Sequence, residues 1–376
     1  MADYLGKDMP KLGFGLMRLP KKAGEPKEID VEQVKAMVDA FIAAGGRYFD
    51  TAYVYDGGKS EEAVKAALVD RYPRDSFCLA TKLCAWAGCS DERSAKQEFF
   101  TSLERTGAGY FDFYLLHALQ SGNYKKYDEY GLWDFVKEQK AKGLVRHWGF
   151  SFHASPELLD ELLNAHPDAE FVQLQINYAD WEDPTVMSRA CYEVARRHGK
   201  PVVIMEPVKG GILACPPKSV GEILRGARPD MSEASWAIRF AASLDGVITV
   251  LSGMSDMEQI KDNLSYMKDF EPLGERERDV IRKAQTALSS IDSIPCTACH
   301  YCTAGCPEHL RIPEIFSAMN LKLIYGNTEK ARREYVSQTE NSGKASSCIG
   351  CGQCERACPQ QIKVISRLKE CAGALE

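Results

Sequence analysis

The feature that most constrains the fold of this chain is a regular alternation of short apolar runs and longer amphipathic stretches between residues 11 and 270. The short runs are rich in β-branched and aromatic residues, which is typical of strands. In the stretch 30–44, apolar residues share one helical face, and Asp30 with Gln33 resembles a capping box. Eight strands are predicted, at 13–17, 48–51, 77–82, 111–117, 145–151, 171–175, 202–206 and 247–251.

Eight strands that are each followed by a helix predict an α/β protein, a closed (β/α)8 TIM barrel with its active site at the carboxyl ends of the strands. The alternative is an open, doubly wound sheet. That fold would normally carry G-x-G-x-x-G after its first strand, but the segment from Gly13 to Arg18 lacks the third glycine. The strand count therefore favours the barrel.

The composition limits the partners of the protein. Its 376 residues carry a net charge of -6, which argues against nucleic acid and anionic membranes as partners. The start of the sequence, MADYLGKDMPK, lacks the apolar run of a signal peptide, and no stretch of about 18 apolar residues follows. We therefore expect a cytoplasmic protein.

The cysteines are concentrated near the end of the sequence, where nine of the fourteen follow residue 290. Eight of these form two copies of C-x2-C-x2-C-x3-C, each followed by proline. Zinc sites usually use separated cysteine pairs, and disulfides are rare in a reducing compartment, so the spacing favours two 4Fe-4S clusters. The predicted ligands are Cys296, Cys299, Cys302 and Cys306 in the first copy and Cys348, Cys351, Cys354 and Cys358 in the second.

The two copies are expected to share their ligands. In two-cluster ferredoxins the fourth cysteine of each copy binds the other cluster, which assigns Cys358 to the first cluster and Cys306 to the second. The intervening residues 312–336 read as helix, so the tail resembles the α-helical ferredoxin modules of redox enzymes. The expected domains are a barrel at 1–272, a helical linker at 273–292 and a ferredoxin-like iron-sulfur domain at 293–376.

Four polar residues lie at one rim of the predicted barrel. Asp50, Lys82 and His117 end the second, third and fourth strands, and Tyr55 follows Asp50 by five residues. Singly, each could be a helix cap, a surface residue or a hydrogen-bonded core residue. Together, in the motifs DTAYVY, ATKL and FYLLH, they resemble the catalytic tetrad of the aldo-keto reductases, and the resemblance extends over about residues 11–270.

The resemblance implies reduction of an aldehyde or ketone with NAD(P)H. Tyr55 would donate the proton; because a tyrosine pKa is ordinarily about 10, a nearby Lys82 ammonium would be needed to make it a stronger acid. Asp50 would keep Lys82 charged, and His117 would position the carbonyl oxygen. Aromatic or imidazole side chains on nearby loops could line the substrate pocket; these are Trp86, Tyr124, His153, Tyr178 and Trp181.

The same resemblance implies a set of nicotinamide cofactor contacts. They are Ser151 and Gln175 for the carboxamide, Met205 for the ring, Pro207, Gly210, Gly211 and Leu213 in the pyrophosphate loop, and Ser252, Gly253, Gln259 and Asn263 for the adenosine. Three positions depart from the family pattern. Phe152 replaces an asparagine, Met205 replaces a tyrosine, and Asp256 lies near Met254 where a basic residue would bind a 2'-phosphate, which disfavours NADPH.

A nicotinamide transfers two electrons as hydride, whereas each cluster carries one. We therefore predict a carbonyl reductase with an attached electron-transfer module. The alternative is one-electron delivery from a ferredoxin or flavodoxin carrier, through the clusters, to the barrel substrate or a bound flavin. A non-catalytic barrel that docks a redox partner is a third reading, against which the complete tetrad argues.

Overall fold

The computed structural model describes residues 5–376, and a closed barrel of eight parallel strands dominates the first part. Each predicted strand corresponds to one barrel strand, which confirms the (β/α)8 prediction. The strands lie in the order β1-β10-β9-β8-β7-β6-β5-β4. They are β1 (Leu12–Gly15), β4 (Tyr48–Asp50), β5 (Cys78–Leu83), β6 (Phe111–Leu119), β7 (Val145–Phe152), β8 (Phe171–Gln175), β9 (Val202–Met205) and β10 (Val247–Ser252), with β2 (Lys21–Lys22) and β3 (Glu25–Ile29) outside the barrel.

Amphipathic helices follow the barrel strands and bury their apolar faces. The first begins after Asp30, whose carboxylate accepts a hydrogen bond from the backbone N–H of Gln33 at 3.0 Å, as an N-cap does. The helices are α1 (Val31–Ala43), α2 (Lys59–Val64), α3 (Glu92–Thr106), α4 (Lys125–Glu129), α5 (Leu132–Ala141), α6 (Pro156–Ala165), α7 (Ser188–Arg197), α8 (Lys218–Ala227), α9 (Glu233–Ala242) and α10 (Met257–Met267).

An antiparallel hairpin formed by β2 and β3 was not predicted. Its strands are short and rich in lysine and glutamate, so they carry no alternating apolar pattern. The hairpin is tied to neighbouring loops by ion pairs of Lys21 with Asp56 and of Glu28 with Lys59. The contacts that hold the hairpin join residues far apart in the sequence. A local sequence pattern therefore does not predict it.

Five α-helices lie between Gly274 and Glu376. The helices are α11 (Glu275–Ser289), α12 (Ile312–Tyr325), α13 (Thr328–Thr339), α14 (Gln353–Ala357) and α15 (Val364–Leu375). The prediction of one helix over 312–336 was wrong, because Gly326 adopts a left-handed φ of 66° and ends α12. Asn327 then caps α13 by accepting a hydrogen bond from Lys330 N at 3.0 Å.

The chain divides into two compact units, each of which is made of several separate segments of the sequence. The first runs through Glu182 and adds Met187–Pro207 and Ala237–Leu273, so it holds all the barrel strands. The second comprises Asp183–Val186, Val208–Trp236 and Gly274–Glu376, and an apolar core that includes Ile315, Phe316 and Leu368 stabilises it. Within residues 5–376, no helix combines the length and the apolar character that crossing a membrane requires.

Candidate functional site

A buried ion pair lies at the carboxyl ends of two adjacent barrel strands. β4 and β5 pair in parallel, with Asp50 opposite Ala80, and Lys82 Nζ lies 2.5 Å from Asp50 Oδ1. The same ammonium donates to the carbonyl oxygen of Thr51 at 2.7 Å, and the Lys82 side chain is only 1% exposed. Burial raises the pKa of Asp50 and lowers the pKa of Lys82, while their mutual attraction opposes both shifts.

Tyr55 joins this pair from the loop after β4. Lys82 Nζ donates to the Tyr55 hydroxyl at 3.4 Å, and Tyr55 is 9% exposed, so the phenol lies at the edge of the buried region. Tyr55 begins a tight turn in which Asp56 adopts a left-handed φ of 51°. The 2.6 Å contact of Asp56 with Lys21 ties this turn to the β2–β3 hairpin. The hairpin therefore helps to fix the position of Tyr55.

His117 reaches the same rim through an irregularity in β6. Leu116 pairs with Phe150 and Leu119 pairs with Phe152, so the register shifts by one residue between these pairs, as it does in a β-bulge. Ala118, within the shift, has a left-handed φ of 53°. The His117 ring lies 5.8 Å from the Tyr55 ring, measured between centroids. The bulge thus directs His117 toward the tyrosine.

The imidazole of His117 is buried, and its pKa lies well below the ordinary value. Burial is the main cause, and the neighbouring Lys82 charge adds to it. A neutral imidazole carries one N–H, which can donate to a carbonyl oxygen. The site therefore combines a cationic lysine, a phenol and a neutral imidazole within one small region.

Two aromatic residues hold the backbone at His117. Its carbonyl oxygen accepts hydrogen bonds from the Tyr127 hydroxyl and from Trp86 Nε1, the latter at 3.1 Å. The Trp86 ring lies 5.9 Å from the His117 ring. Sequence reasoning missed Tyr127, because this contact joins a helix residue to a strand and no local pattern encodes it. Trp86 was expected at the pocket, and the structure places it beside His117.

Behind the rim lies a buried carboxyl group that sequence reasoning also missed. Glu98 of α3 accepts a hydrogen bond from Cys84 N at 2.8 Å. Burial raises the pKa of Glu98 to about 8, and the nearby Glu61 adds to the shift. Glu98 thus supports the backbone just beyond Lys82 as a neutral acid at neutral pH.

The predicted carboxamide contacts are buried at the ends of β7 and β8. Ser151 Oγ accepts a hydrogen bond from Ala118 N at 2.7 Å, which links it to the bulge beside His117. Gln175 Nε2 donates to Asp180 Oδ2 at 2.8 Å. Asn177 Nδ2 contacts the same Asp180 oxygen at 2.7 Å. Asp180, which sequence reasoning did not single out, therefore orients the Gln175 amide.

The predicted adenosine contacts form a hydrogen-bonded group after β10. Asn263 Nδ2 donates to Ser252 Oγ at 2.6 Å, and Asn263 Oδ1 accepts from the Tyr266 hydroxyl at 2.6 Å. Asp256 caps α10 by accepting a hydrogen bond from Gln259 N at 2.8 Å, and Gln259 Oε1 accepts one from Ser255 N at 2.9 Å. These side chains therefore keep the segment ordered by contacts within the protein.

The departures from the family pattern take different positions. Phe152 and Met254 are buried apolar side chains, so neither can replace the polar contact that the family residue would make with the cofactor. Asp256 places a carboxylate at the amino end of α10, where a phosphate would otherwise be favoured. Arg18, which sequence reasoning missed, runs beside Gly253, and its carbonyl oxygen accepts from Ser255 Oγ at 2.7 Å. It lies more than two hundred positions away in the sequence, so no local motif includes it.

The loop expected to bind pyrophosphate is divided between the units. Met205 and Pro207 belong to the first unit, whereas Gly210, Gly211 and Leu213 belong to the second. Gly210 has a φ of 64°, and a Cβ on it would lie 2.6 Å from the carbonyl oxygen of Thr297. A side chain at this position would collide with the backbone between two cluster cysteines. Contact with Thr297 by itself accounts for the glycine at 210.

The eight tail cysteines surround two cavities. One is lined by Cys296, Cys299, Cys302 and Cys358. The other is lined by Cys306, Cys348, Cys351 and Cys354. These are the two exchanged sets of the sequence prediction. We name the cavities the Cys296 cavity and the Cys348 cavity.

The chemistry of these thiols fits iron-sulfur clusters. Burial raises the pKa of Cys302 and Cys358, and it raises the pKa of Cys354 to about 11. Thiols of this kind need a bound metal to stabilise their thiolates. None of the fourteen cysteines forms a disulfide. In residues 5–376, no three His, Cys, Asp or Glu side chains are grouped closely enough to share one metal ion.

The remaining pocket candidates differ in exposure. Tyr178 is fully buried and packs against Phe240, with ring centroids 6.3 Å apart. Trp181 packs against the same ring at 5.6 Å. His153 follows β7, and burial lowers its pKa to about 4. Tyr124 precedes α4. Trp86 and His153 both lie close enough to His117 to interact with its imidazole.

Comparisons with known proteins identify two domains. Residues 11–285 match the model of the aldo/keto reductase family, and residues 288–359 match that of the 4Fe-4S dicluster domain. The Bacillus subtilis protein "Uncharacterized oxidoreductase YqkF" is 25% identical over 68% of this chain and 87% of its own length. An "Aldo-keto reductase" of Mycolicibacterium vanbaalenii is 29% identical over 70% of this chain and 84% of its own.

Solved structures agree with this assignment. The holo form of aldo-keto reductase AKR11C1 from Bacillus halodurans is 26% identical, covers 75% of this chain and 95% of its own, and has a TM-score of 0.58. An aldo-keto reductase from Klebsiella pneumoniae in complex with NADPH is 20% identical, covers 76% of this chain and 96% of its own, and has a TM-score of 0.59. The second similarity supports the fold alone.

Proposed function

The chain belongs to the aldo/keto reductase family and carries a 4Fe-4S dicluster domain, and from this premise we propose that its barrel reduces an aldehyde or ketone with NAD(P)H. The observation that carries the proposal is the double contact of Lys82. Its ammonium touches the Asp50 carboxylate at 2.5 Å and the Tyr55 hydroxyl at 3.4 Å. A proton donor and the charge that would strengthen it are therefore already adjacent.

Each of the four residues has a distinct proposed role. Tyr55 donates its hydroxyl proton to the carbonyl oxygen, and Lys82 stabilises the resulting phenolate. Asp50 keeps the buried Lys82 charged. His117, held neutral by burial, donates a hydrogen bond that positions the same oxygen. Tyr55 is afterwards reprotonated from solvent. When bound at this rim, NAD(P)H would supply a hydride to the carbonyl carbon.

The residues after β7, β8 and β10 are the proposed cofactor contacts. Ser151 and Gln175 are already oriented by Ala118 N and Asp180, so they can bind an amide without large rearrangement. The proposal extends to Met205, Pro207, Gly210, Gly211, Leu213, Ser252, Gly253, Gln259 and Asn263. The Asp256 carboxylate at the start of α10 favours NADH over NADPH, because it repels a 2'-phosphate.

The test of this proposal is the Tyr55→Phe variant, assayed anaerobically with NADH, NADPH and a panel of aromatic and aliphatic carbonyl compounds. Removal of the proton donor should lower kcat by about 10²- to 10⁴-fold and leave the Kd of the cofactor unchanged. Tyr53→Phe is the matched control, because Tyr53 lies two residues away on the same loop. Equal turnover in Tyr55→Phe and in the wild type would refute the proposal.

A second candidate function is favoured by the two sets of four cysteines, because each 4Fe-4S cluster carries one electron at a time. In this alternative, a ferredoxin or flavodoxin carrier reduces the clusters, which pass single electrons to the barrel substrate or to a bound flavin. Tyr55 would still supply a proton. Reduction of the substrate by a reduced carrier in the absence of any nicotinamide would support this alternative.

We further propose that residues 1–272 form the reductase domain, 273–292 a helical linker and 293–376 the cluster domain. The proposed ligands of the first cluster are Cys296, Cys299, Cys302 and Cys358, and those of the second are Cys306, Cys348, Cys351 and Cys354. We also propose that the protein is cytoplasmic, because none of its fourteen cysteines forms a disulfide and the cytoplasm keeps thiols reduced.

A further inference from the structure

His153 directly follows β7 and lies at the same rim as the proposed catalytic residues. Its backbone N–H donates to the carbonyl oxygen of Leu119 at 2.9 Å, so the pairing of β6 with β7 continues one residue past the end of β7. Leu119 lies two residues beyond His117 on β6, across the bulge at Ala118. The backbone of His153 is therefore fixed beside the segment that carries His117.

The side chain of His153 points toward the inside of the barrel. Phe150 and Phe152 point outward, because the Phe150 ring lies 5.8 Å from the Trp133 ring of α5 and the Phe152 ring lies 6.3 Å from that of Phe150. Successive side chains of a strand point to opposite faces. His153 therefore shares the inner face of β7 with Ser151, which is a proposed cofactor contact.

One nitrogen of the His153 imidazole is available to a ligand. Its Nδ1 is buried and has no hydrogen-bond partner within residues 5–376. The residue as a whole is only half-buried, which leaves Nε2 as the nitrogen that a ligand can reach. Burial lowers the pKa of His153 to about 4, so the ring is neutral at neutral pH. It can hydrogen-bond a hydroxyl or carbonyl oxygen, but it offers no positive charge to a carboxylate.

The His153 ring lies beside His117, which is proposed to hold the carbonyl oxygen. A positive charge on His153 would lower the pKa of His117, which requires the two rings to be near each other. On another side, the Trp86 ring lies 5.9 Å from the His117 ring. A substrate whose carbonyl oxygen contacts His117 therefore brings its neighbouring atoms within reach of His153.

We propose that His153 is a second substrate-binding imidazole, which recognises an oxygen on the carbon next to the reacting carbonyl. His117 holds the carbonyl oxygen, and His153 Nε2 hydrogen-bonds the second oxygen. The preferred substrates are then neutral α-hydroxy carbonyl or 1,2-dicarbonyl compounds. An analogue without the second oxygen is disfavoured, because it leaves the imidazole unpaired in the occupied site. The inference rests on the proposed reduction of a carbonyl compound by the barrel.

The second oxygen takes no part in the bond changes. The carbonyl carbon gains a hydride taken from NAD(P)H, which is oxidised to NAD(P)+, and the carbonyl oxygen gains the proton of Tyr55. An α-hydroxy ketone becomes a 1,2-diol, and a 1,2-diketone becomes an α-hydroxy ketone. His153 therefore contributes to the choice of substrate and to the orientation of its carbonyl group.

The test compares two ketones that differ by one hydroxyl group, 2-hydroxyacetophenone and acetophenone. Anaerobic assays with NADH give the ratio of their kcat/KM values in the wild type, in His153→Phe and in His153→Gln. Phenylalanine keeps a flat ring without a nitrogen, whereas glutamine restores a polar group. His147→Gln is the matched control, because His147 lies near the amino end of the same strand, where its Nδ1 contacts Glu170 at 2.8 Å. The Kd of NADH is measured for each protein by fluorescence.

We expect His153→Phe to lower the ratio of kcat/KM for 2-hydroxyacetophenone to that for acetophenone about tenfold, because the hydroxyl group loses its partner. His153→Gln should keep the ratio within about threefold of the wild type, and His147→Gln should leave it unchanged. The Kd of NADH should be the same in all four proteins. Since the same two ketones are compared throughout, their intrinsic reactivities cancel when the ratios are compared.

A ratio in His153→Phe equal to that of the wild type would overturn the inference, as would an equal fall in His147→Gln. A raised Kd of NADH with an unchanged ratio would assign His153 to the cofactor and would overturn it too. The Tyr55→Phe variant separates the two proposals. Carbonyl reduction that is lost in Tyr55→Phe but has the same ratio in His153→Phe refutes the inference alone, whereas equal turnover in Tyr55→Phe and the wild type refutes the proposed function and the inference with it.

Discussion

At the barrel rim, Lys82 and Asp50 place opposite charges 2.5 Å apart, whereas each cysteine cavity gathers four groups that all become negative when they ionise. The rim balances its charge with protein atoms alone. The cysteine sets need a positively charged metal centre before their thiolates are stable. The barrel site can therefore assemble independently of iron, whereas the cluster sites cannot.

The largest effect on turnover is expected when the carboxylate that balances the Lys82 charge is removed. In Asp50→Asn, the buried Lys82 loses its counter-ion, so burial drives it toward the neutral amine and it no longer favours the Tyr55 phenolate. We expect kcat to fall about 10²-fold. Steady-state carbonyl reduction and iron content are the measurements, and the iron content should stay unchanged.

Asp112→Asn is the matched control for this variant. Asp112 is also a buried carboxylate, paired with Arg74 at 2.7 Å and with Arg146 at 2.8 Å, but it lies near the amino end of β6. Each variant removes a buried carboxylate that is paired with a cation, so both should lower the free energy of unfolding. Only Asp50→Asn should lose turnover. Equal loss of kcat in the two variants would show that Asp50 acts through stability alone.

Asp256 tests how the barrel discriminates between cofactors. In Asp256→Ser, the serine can still cap α10, but the charge that opposes a 2'-phosphate is gone. The ratio of kcat/KM for NADPH to that for NADH should rise about tenfold, a change of about 1.4 kcal/mol. Glu258→Gln removes an exposed charge from the same helix and should leave the ratio unchanged. If the ratio does not rise in Asp256→Ser, the 2'-phosphate of bound NADPH does not lie near Asp256.

Glu98 gives the stability of the barrel a pH dependence near neutral pH. Its pKa in the folded protein is about 8, above the ordinary 4.5, so the folded state holds the proton over a range where the unfolded chain has released it. The contribution of Glu98 to the free energy of unfolding is therefore greatest below pH 4.5, and it declines as the pH rises to about 8. The slope cannot exceed about 1.4 kcal/mol per pH unit.

Glu98→Gln should remove this slope, because the amide does not titrate and its oxygen can still accept from Cys84 N. Urea unfolding of the barrel between pH 6 and pH 8, followed by tryptophan fluorescence, measures it. The exposed Glu104→Gln on the same helix is the control and should keep the wild-type slope. An unchanged slope in Glu98→Gln would mean that the carboxyl group is ionised in the folded state.

The smallest effect on turnover should come from the cysteine sets. Cys299→Ser removes one thiolate from the Cys296 cavity, so iron content should fall from about eight atoms per chain toward about four. Because the rim assembles without iron, NAD(P)H-dependent carbonyl reduction should stay within about twofold of the wild type. Cys371→Ser is the control, since Cys371 lies outside both cavities. A loss of turnover that follows the iron content would favour the one-electron alternative.

The barrel was predictable because its information is local. Eight buried strands each carry their own apolar run, and Asp50, Lys82 and His117 each end one of them. What the sequence could not provide are contacts between distant segments, such as Tyr127 with the His117 carbonyl, Arg18 beside Gly253 and Gly210 against Thr297. The β6 bulge was equally hidden, because a shift of register depends on the neighbouring strand.

The tail shows the same division. The spacing of the cysteines is local, so the two exchanged ligand sets could be written from the sequence. The break at Gly326 was misread as continuous helix because the flanking residues are good helix formers, and one glycine within such a run is weak evidence of an end. Ile349 is 63% exposed, which could not be foreseen either, since apolar residues beside cluster cysteines are ordinarily buried.

The most direct test of the central claim follows a single hydrogen atom. Reduction is run in ordinary water with NAD(P)H that carries deuterium at the transferable position of nicotinamide C4, and the product alcohol is analysed by mass spectrometry and NMR. Direct hydride transfer at the Tyr55 site predicts one deuterium on the carbinol carbon, in Cys299→Ser as in the wild type. An alcohol whose carbinol hydrogen comes from solvent would contradict direct hydride transfer from the nicotinamide to the carbonyl carbon.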